Sequence, residues 1–282
     1  ASMAGNKTIM THQRLDFFLL ALDQLVNSAA KMHYMFGGKV NIPITIRLII
    51  GRGWGQGPTH SQNLQAWFAH IPGLKVVMPS SANDAYGLLL SSIFDPNPVI
   101  FLEHRWLHNT ISSNFDSSIK VPIGKALKIC EGKDFTVVSM SYLSIEAKIA
   151  ALYLKTKGIN IELIDLRTIK PIDFETIFES IEKTRNILVL DTGNAICSVS
   201  SEIISTICIN KFNFLEKSPG RLTMPDIPEP TGFSMTKGFY IRAADIAKYI
   251  AKKMGRIDFD PFKDLPEPEP HDIPGDWFKG PF

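Results

Sequence analysis

Hydrophobic positions set an alternating rhythm along this chain. The stretch DFFLLALDQLVNSAAKMHYMF (16–36) is apolar on nearly every face, and its Ala, Leu and Met content favours helix over strand. An apolar surface all round predicts burial on several sides. IPITIRLII (42–50) is short and β-branched, which predicts an interior strand. THSQNLQAWFAHI (59–71) predicts a helix opened by a capping box from Thr59 to Gln62, with Leu64, Trp67, Phe68 and Ile71 on its apolar face. LKVVMP (74–79) is the next strand. ANDAYGLLLSSIF (82–94) is a helix capped by Ser81 and Asp84, and NPVIFLEH (97–104) is another strand. GNKTIMTHQ (5–13) can add one short strand at the start. Strands and helices in strict alternation predict an α/β fold with a doubly wound parallel sheet.

Residues 105–124, rich in Ser and Asn, break the rhythm, and it then restarts. DFTVVSMS, INIELIDL and RNILVLD are strands. SIEAKIAALYLKTKG is a helix closed by Gly158, and PIDFETIFESIEK is a helix capped by Asp173 with Thr176 nearby. VSSEIISTICIN and RAADIAKYIAKKM complete the helices. The pattern predicts two doubly wound domains: residues 1–110, a linker at 111–124, residues 125–256, and a Pro/aromatic tail at 257–282. The tail holds too much proline for regular structure. Its aromatics Phe262, Trp277, Phe278 and Phe282 predict that it lies along a surface, its own or a partner's. The first domain opens almost directly on its buried helix, so it is expected to be clipped at its N-terminal side.

Composition narrows the function classes. Lys+Arg 30 against Asp+Glu 28 leaves a net charge of +2, which argues against a broad basic face for nucleic acid. No apolar run reaches the ~18 residues of a membrane span, and the first residues lack a signal-peptide pattern. Cys130, Cys197 and Cys208 show no CxxC spacing and are expected to be buried free thiols of a cytosolic protein.

The chemistry concentrates in RLIIGRGWGQGPTHSQ (47–62). A dinucleotide fingerprint needs its third glycine where Gln56 stands, and a phosphate-binding loop needs Lys after Gly57. The remaining reading is a bend through positive φ that delivers His60 from the carboxyl end of a strand to a helix start. There the positive helix end works against a second positive charge, and the imidazole can exchange a proton. An ordinary helix-start histidine satisfies the same spacing. His104 and His108 are spaced like a metal pair but lack a third ligand.

Several blocks point to one family: LDQLVNSAAK (22–31), GPTHSQ (57–62), PGLKVVMPSSANDAYGLL (72–89), DPNPVIFLEH (95–104) and DLRTIKPID (165–173). Over residues 12–250 the chain resembles the beta subunit of the thiamine-diphosphate-dependent 2-oxoacid dehydrogenases, of pyruvate and branched-chain type, and more distantly the second half of transketolases. The resemblance implies a pyrimidine-binding domain followed by a transketolase C-terminal domain. It implies an α2β2 assembly whose alpha subunit holds Mg²⁺ and the diphosphate through a Gly-Asp-Gly motif absent here. The lipoyl-bearing acyltransferase would be a further partner, in the cytoplasm or an organelle matrix. By the same resemblance Phe17 stacks on the aminopyrimidine and His60 serves acyl transfer to the lipoyl group. Main-chain carbonyls of Ile44, Ser92, Ile93, Asp95 and Asn97 match a structural potassium site. In DLRTIKPID, Arg167 and Lys170 face either a subunit interface or solvent. The family's activating glutamate lies upstream of the first helix, and no acid precedes Asp16. The chain is therefore expected to be a fragment that is inactive alone. A transketolase or deoxyxylulose-phosphate synthase half, or a non-catalytic scaffold that kept the fold, are the alternatives.

Overall fold

The computed structural model describes residues 1–282 except Trp54, Ser113, Pro281 and Phe282. The chain divides into two compact units, one of Ala1–Lys125, Arg167–Ile172 and Lys279–Phe282, the other of Ala126–Leu166 and Asp173–Phe278.

In the first unit β1 (Thr8–His12), β2 (Ile44–Ile50), β3 (Lys75–Val77) and β4 (Val99–His104) run parallel in the order β1-β2-β4-β3. The β-branched run of β2 and the apolar run of β4 form the buried centre, with Leu48, Ile50, Val99, Ile100 and Leu102 fully inaccessible. Continuous apolar strands are what a sheet covered on both faces requires. Helix α4 (Ala82–Phe94) begins where Ser81 Oγ accepts from the Asp84 amide, as the cap pattern predicts. It packs Leu88 against Val77, Val99, Phe101 and Val121. The first helical stretch starts as α1 (Leu15–Phe18), passes through 3₁₀ turns at Leu19–Ala21 and wider π turns at Gln24–Ala29, and ends as α2 (Ala30–Met35). It is not buried on several sides. Leu15, Phe18, Leu25 and Ala30 face the core, while Phe17, Leu20, Tyr34 and Met35 are exposed.

The segment 165–173 departs from its expected position. Its residues Thr168–Lys170 form β8, antiparallel to β3 at the edge of the first sheet. Arg167 Nη1 pairs with Asp84 Oδ1 at 3.1 Å, both side chains being nearly buried, and its Nε and Nη2 donate to the Lys125 carbonyl. Lys170 Nζ donates to the carbonyls of Ala69 and Ile71. Both cations are held within the first unit, by its own carboxylate and carbonyls.

The second unit carries β5 (Leu127–Cys130), β6 (Phe135–Ser139), β7 (Ile161–Asp165), β9 (Ile187–Asn194) and β10 (Gly220–Met224) in the order β10-β9-β6-β7-β5. All pairs are parallel except the edge pair β5–β7. Helices α5 (Leu143–Thr156), α6 (Phe174–Thr184), α7 (Val199–Lys211) and α8 (Ala243–Lys253) accompany the sheet. Asp173 caps α6 by accepting from the Thr176 amide. Both units are doubly wound α/β structures. The cysteines are free, but Cys197 is exposed and Cys130 and Cys208 are half-buried, so none is a core thiol.

The tail contains one short helix, α9 (Pro261–Asp264), which the proline count obscured; Pro261 stands where a helix start tolerates it. Farther on, the tail lies along its own unit. Trp277 Nε1 donates to Glu146 Oε1, while Glu146 Oε2 accepts from the Ala243 amide and caps α8. Arg242 Nη2 holds the carbonyls of His271 and Ile273. Burial raises the Glu146 carboxyl above its usual range, against the opposing pull of these donors. Phe262 remains exposed, and Phe282 lies outside the described residues.

Removing the guanidinium from the Arg167–Asp84 pair strips a buried carboxylate of its ion partner. Arg167→Ala should lower stability by about 3 kcal/mol, read from the urea midpoint at constant slope.

Candidate functional site

The parallel order of β1, β2 and β4 brings three carboxyl ends together: His12, Ile50 and His104. Ligands of open α/β sheets sit at such ends. The chain leaving β1 supplies Arg14, which is buried and donates from Nη1 to the Gly51 carbonyl at 2.7 Å. β4 supplies His104, also buried. Gly51 lies between them at φ +74°, and a Cβ there would stand 2.2 Å from His104 Nε2. At Gly53 a Cβ would stand 2.1 Å from Arg14 Nη2. The first glycine is required by its left-handed φ and by the imidazole, the second by close approach of the guanidinium. The glycine stretch is thus a bend fitted around two side chains.

His104 Nδ1 accepts from the Trp106 amide at 3.3 Å, so the neutral ring carries its proton on Nε2. Burial lowers its pKa to about 3, and the positive charges of His108 and Arg14 add to the shift. The His104–His108 spacing does not make a metal pair. Arg105–Leu107 is a single 3₁₀ turn, and the Arg105 guanidinium sits 3.0 Å from His108 Nδ1. Among the described residues no group of three or more His, Cys, Asp or Glu is placed to hold a metal ion.

Beyond the bend, helix α3 spans Gln65–His70, not 59–71. The capping box is absent because both of its side chains are engaged elsewhere. Thr59 Oγ1 lies 3.0 Å from His60 Nδ1, and Gln62 donates from its amide and from Nε2 to Asp16 Oδ1, the latter at 2.8 Å. His60 therefore sits in a loop, and the helix-end argument about its charge has no basis. Of the expected apolar face, Phe68 is buried and Trp67 is exposed.

The structure does bring Phe17 and His60 together. Their ring centroids lie 5.1 Å apart at 86°, an edge-on contact. Phe17 is 51% exposed, so part of its ring is open for a further partner. Beside it, Asp16 Oδ2 is buried and has no hydrogen-bond partner. Asp16, Gln62, Arg14 and His104 were not singled out in the sequence as parts of this site.

The five carbonyl positions also fall near one another along the chain and sheet. Ser92 and Ile93 lie in the last turn of α4, and Asp95 and Asn97 in the turn before β4. The register pairs Thr45 with Val99, which sets Ile44 at the start of β2 beside that turn. Asp95 is held by Lys75 through an ion pair, and Asn97 Oδ1 is buried without a partner.

Comparison with known proteins decides the family. Residues 1–109 match the transketolase pyrimidine binding domain and residues 124–246 the transketolase C-terminal domain. The chain is 39% identical over 250 residues to the beta subunit of the mitochondrial pyruvate dehydrogenase E1 component of Dictyostelium discoideum, covering 87% of this chain and 70% of the relative. It is 35% identical over 254 residues to the beta subunit of the acetoin:2,6-dichlorophenolindophenol oxidoreductase of Cupriavidus necator, covering 90% and 75%. The chain belongs to the beta-subunit family of the thiamine-diphosphate-dependent 2-oxoacid dehydrogenases. A solved split-gene transketolase, described as an inactive beta4 tetramer, superposes with a TM-score of 0.73 at 20% identity, over 90% of this chain and 78% of that one. Transketolase from Campylobacter jejuni gives 0.61 at 13%, over 86% and 35%. These two likenesses show that this chain has the transketolase fold. Among the described residues no helix is long and apolar enough to cross a membrane.

The depressed pKa of His104 makes a signed pH prediction. The unfolded chain takes up this proton below about 6.5, and the folded chain only near 3. The stability contributed by the neutral ring is complete above the unfolded value and is lost as pH falls from about 6.5 towards 3. His104→Gln should flatten the fall in stability between pH 6.5 and 4, read from urea unfolding at a series of pH values.

Proposed function

We propose that this chain is the beta subunit of a 2-oxoacid dehydrogenase that shares thiamine diphosphate with an alpha subunit in an α2β2 assembly and delivers its acyl product to a lipoyl arm. The supporting observation is the edge-on pair of Phe17 and His60 at the carboxyl ends of the parallel strands. A half-exposed aromatic ring next to a half-buried imidazole suits a flat heteroaromatic group. The unpartnered, buried Asp16 Oδ2 adds one more polar atom there. The residues present fit the pyrimidine end of the cofactor. The chain has no Gly-Asp-Gly, so the diphosphate and Mg²⁺ are assigned to the alpha subunit.

When bound, the cofactor supplies the electron sink that makes decarboxylation possible. The protein's share is placement and proton control. Phe17 offers the face against which the aminopyrimidine is oriented. His60 would donate a proton to the dithiolane sulfur released as the acyl group is transferred. Carbonyls of Ile44, Ser92, Ile93, Asp95 and Asn97 would hold a potassium ion, oxygen ligands of the kind such a cation takes. The buried Asn97 Oδ1 is a further oxygen at that turn. The same reading holds that the chain turns over substrate only together with an alpha subunit.

The two half-reactions separate the role of His60. His60→Ala in the assembled alpha–beta complex should cut reductive acylation of a lipoyl domain by about 100-fold and leave decarboxylation with an artificial electron acceptor much less affected. Equal loss of both half-reactions would count against this role.

A further inference from the structure

We propose that Asp16 is a positioning residue that sets the His60 imidazole against Phe17 through Gln62; this rests on the functional reading above. Three observations carry it. Asp16 directly precedes Phe17 in α1, so its carboxylate is fixed by the same helical turn that presents the ring. Its Oδ1 accepts from Gln62 Nε2 at 2.8 Å, with the Gln62 amide at 3.4 Å, 46 residues away in sequence. Gln62 lies two residues after His60, in a loop that no helix stiffens, because α3 begins only at Gln65.

The contact therefore does what a helix start would have done. The segment 59–64 has no repeating hydrogen-bond ladder of its own. The local bonds of its polar side chains are short-range: Thr59 to His60, and Asn63 Nδ2 to the Ser61 carbonyl. A loop with such local bonds is free to move as a body unless something long-range ties it. Asp16 supplies that tie from the element that carries Phe17. The edge-on geometry of Phe17 and His60, at 5.1 Å and 86°, follows from this link. A displaced imidazole would keep its chemistry but lose its place, and a shift on the order of 1 Å at a reacting group is worth about 100-fold in rate. Gln62 is the natural relay, because its amide side chain donates to Asp16 while its backbone continues the His60 loop.

The chain of residues 1–282 tests this without its cofactor. The ring of Phe17 shifts the carbon-bound proton signals of His60 in a ¹³C-histidine-labelled spectrum, and Phe17→Leu marks the position of the unshifted signals. Asp16→Ala and Gln62→Ala should move the His60 signals to that position while the signals of His12, His70 and His104 stay. Asp16→Asn, which keeps the acceptor oxygen, should leave them where they are in the parent. Unmoved His60 signals in Asp16→Ala, or an Asp16→Asn spectrum like that of Asp16→Ala, would overturn the proposal. In the complex with the alpha subunit, Asp16→Ala should lower reductive acylation at least tenfold, and Asp16→Asn should restore it. If His60→Ala lowers reductive acylation and Asp16→Ala does not, the positioning role is wrong. If His60→Ala itself changes nothing, the failure belongs to the functional reading, and the spectra still decide whether the tie exists.

Discussion

The parallel order of β1, β2 and β4 is the constraint on which the rest of the site depends. It forces three chain segments to leave the sheet side by side, and those segments must share one small volume. The Arg14 side chain crosses to the Gly51 carbonyl, and the His104 ring takes the space where a residue-51 side chain would be. A buried guanidinium and a buried imidazole at one place would repel if both were charged. Burial above all, with the charges of His108 and Arg14, lowers the pKa of His104, so the ring stays neutral and takes its place as a donor–acceptor group. The glycines are the consequence of this crowding. They leave the volume that Arg14 and His104 fill, and the bend they permit sends the chain towards Phe17.

The same economy governs the first sheet's other edge. β3 is only three residues long and ends in a parallel array that would otherwise present unpaired backbone. β8 covers it, contributed by residues from far along the chain; Arg167, just before β8, is anchored to Asp84, and Lys170, its last residue, to the carbonyls of Ala69 and Ile71. Asp84 is thereby drawn into two tasks, completing the cap of α4 with Ser81 and holding Arg167. A residue read from sequence as a helix-capping acid is also the anchor of a distant strand. In the second unit Glu146 plays a comparable double part, capping α8 and receiving the Trp277 indole.

Much of the fold was legible in the sequence because parallel α/β structure writes itself in local signals. Strands such as β2 and β6 are dominated by apolar and β-branched residues, and Ser81 and Asp173 stand where caps belong. The misses share a physical cause. The first helix was expected to be buried all round, because hydrophobicity does not say whether the surface an apolar residue meets belongs to this chain. The Thr59–Gln62 box failed because a capping pattern is a local preference worth about 1 kcal/mol, and Gln62 found a long-range partner in Asp16. Arg167 and Lys170 were read as interface or solvated charges because their carbonyl partners carry no sequence mark. Of the candidate site, Phe17 and His60 were singled out by the resemblance to the family. Arg14, His104, Asp16 and Gln62 were not, since each acts through a contact between residues 37 or more positions apart, or through space that a glycine leaves open.

That distinction explains why the site is built in two layers of different origin. The outer pair, Phe17 and His60, carries residue types that suit the proposed chemistry, and such residues are found by matching motifs. The inner set is chosen by fit. Arg14 needs a carbonyl at the right reach, His104 needs a missing side chain, and Gln62 needs a carboxylate next to the ring that its neighbour must meet. Fit is a property of the folded backbone, so these residues become visible only once strand order is known. The exposed half of Phe17 belongs to neither layer. An aromatic face left open beside a buried, unpartnered carboxylate oxygen is costly in a chain meant to stand alone. It is reasonable chemistry in a family whose members are beta subunits, where the site is finished by what binds there.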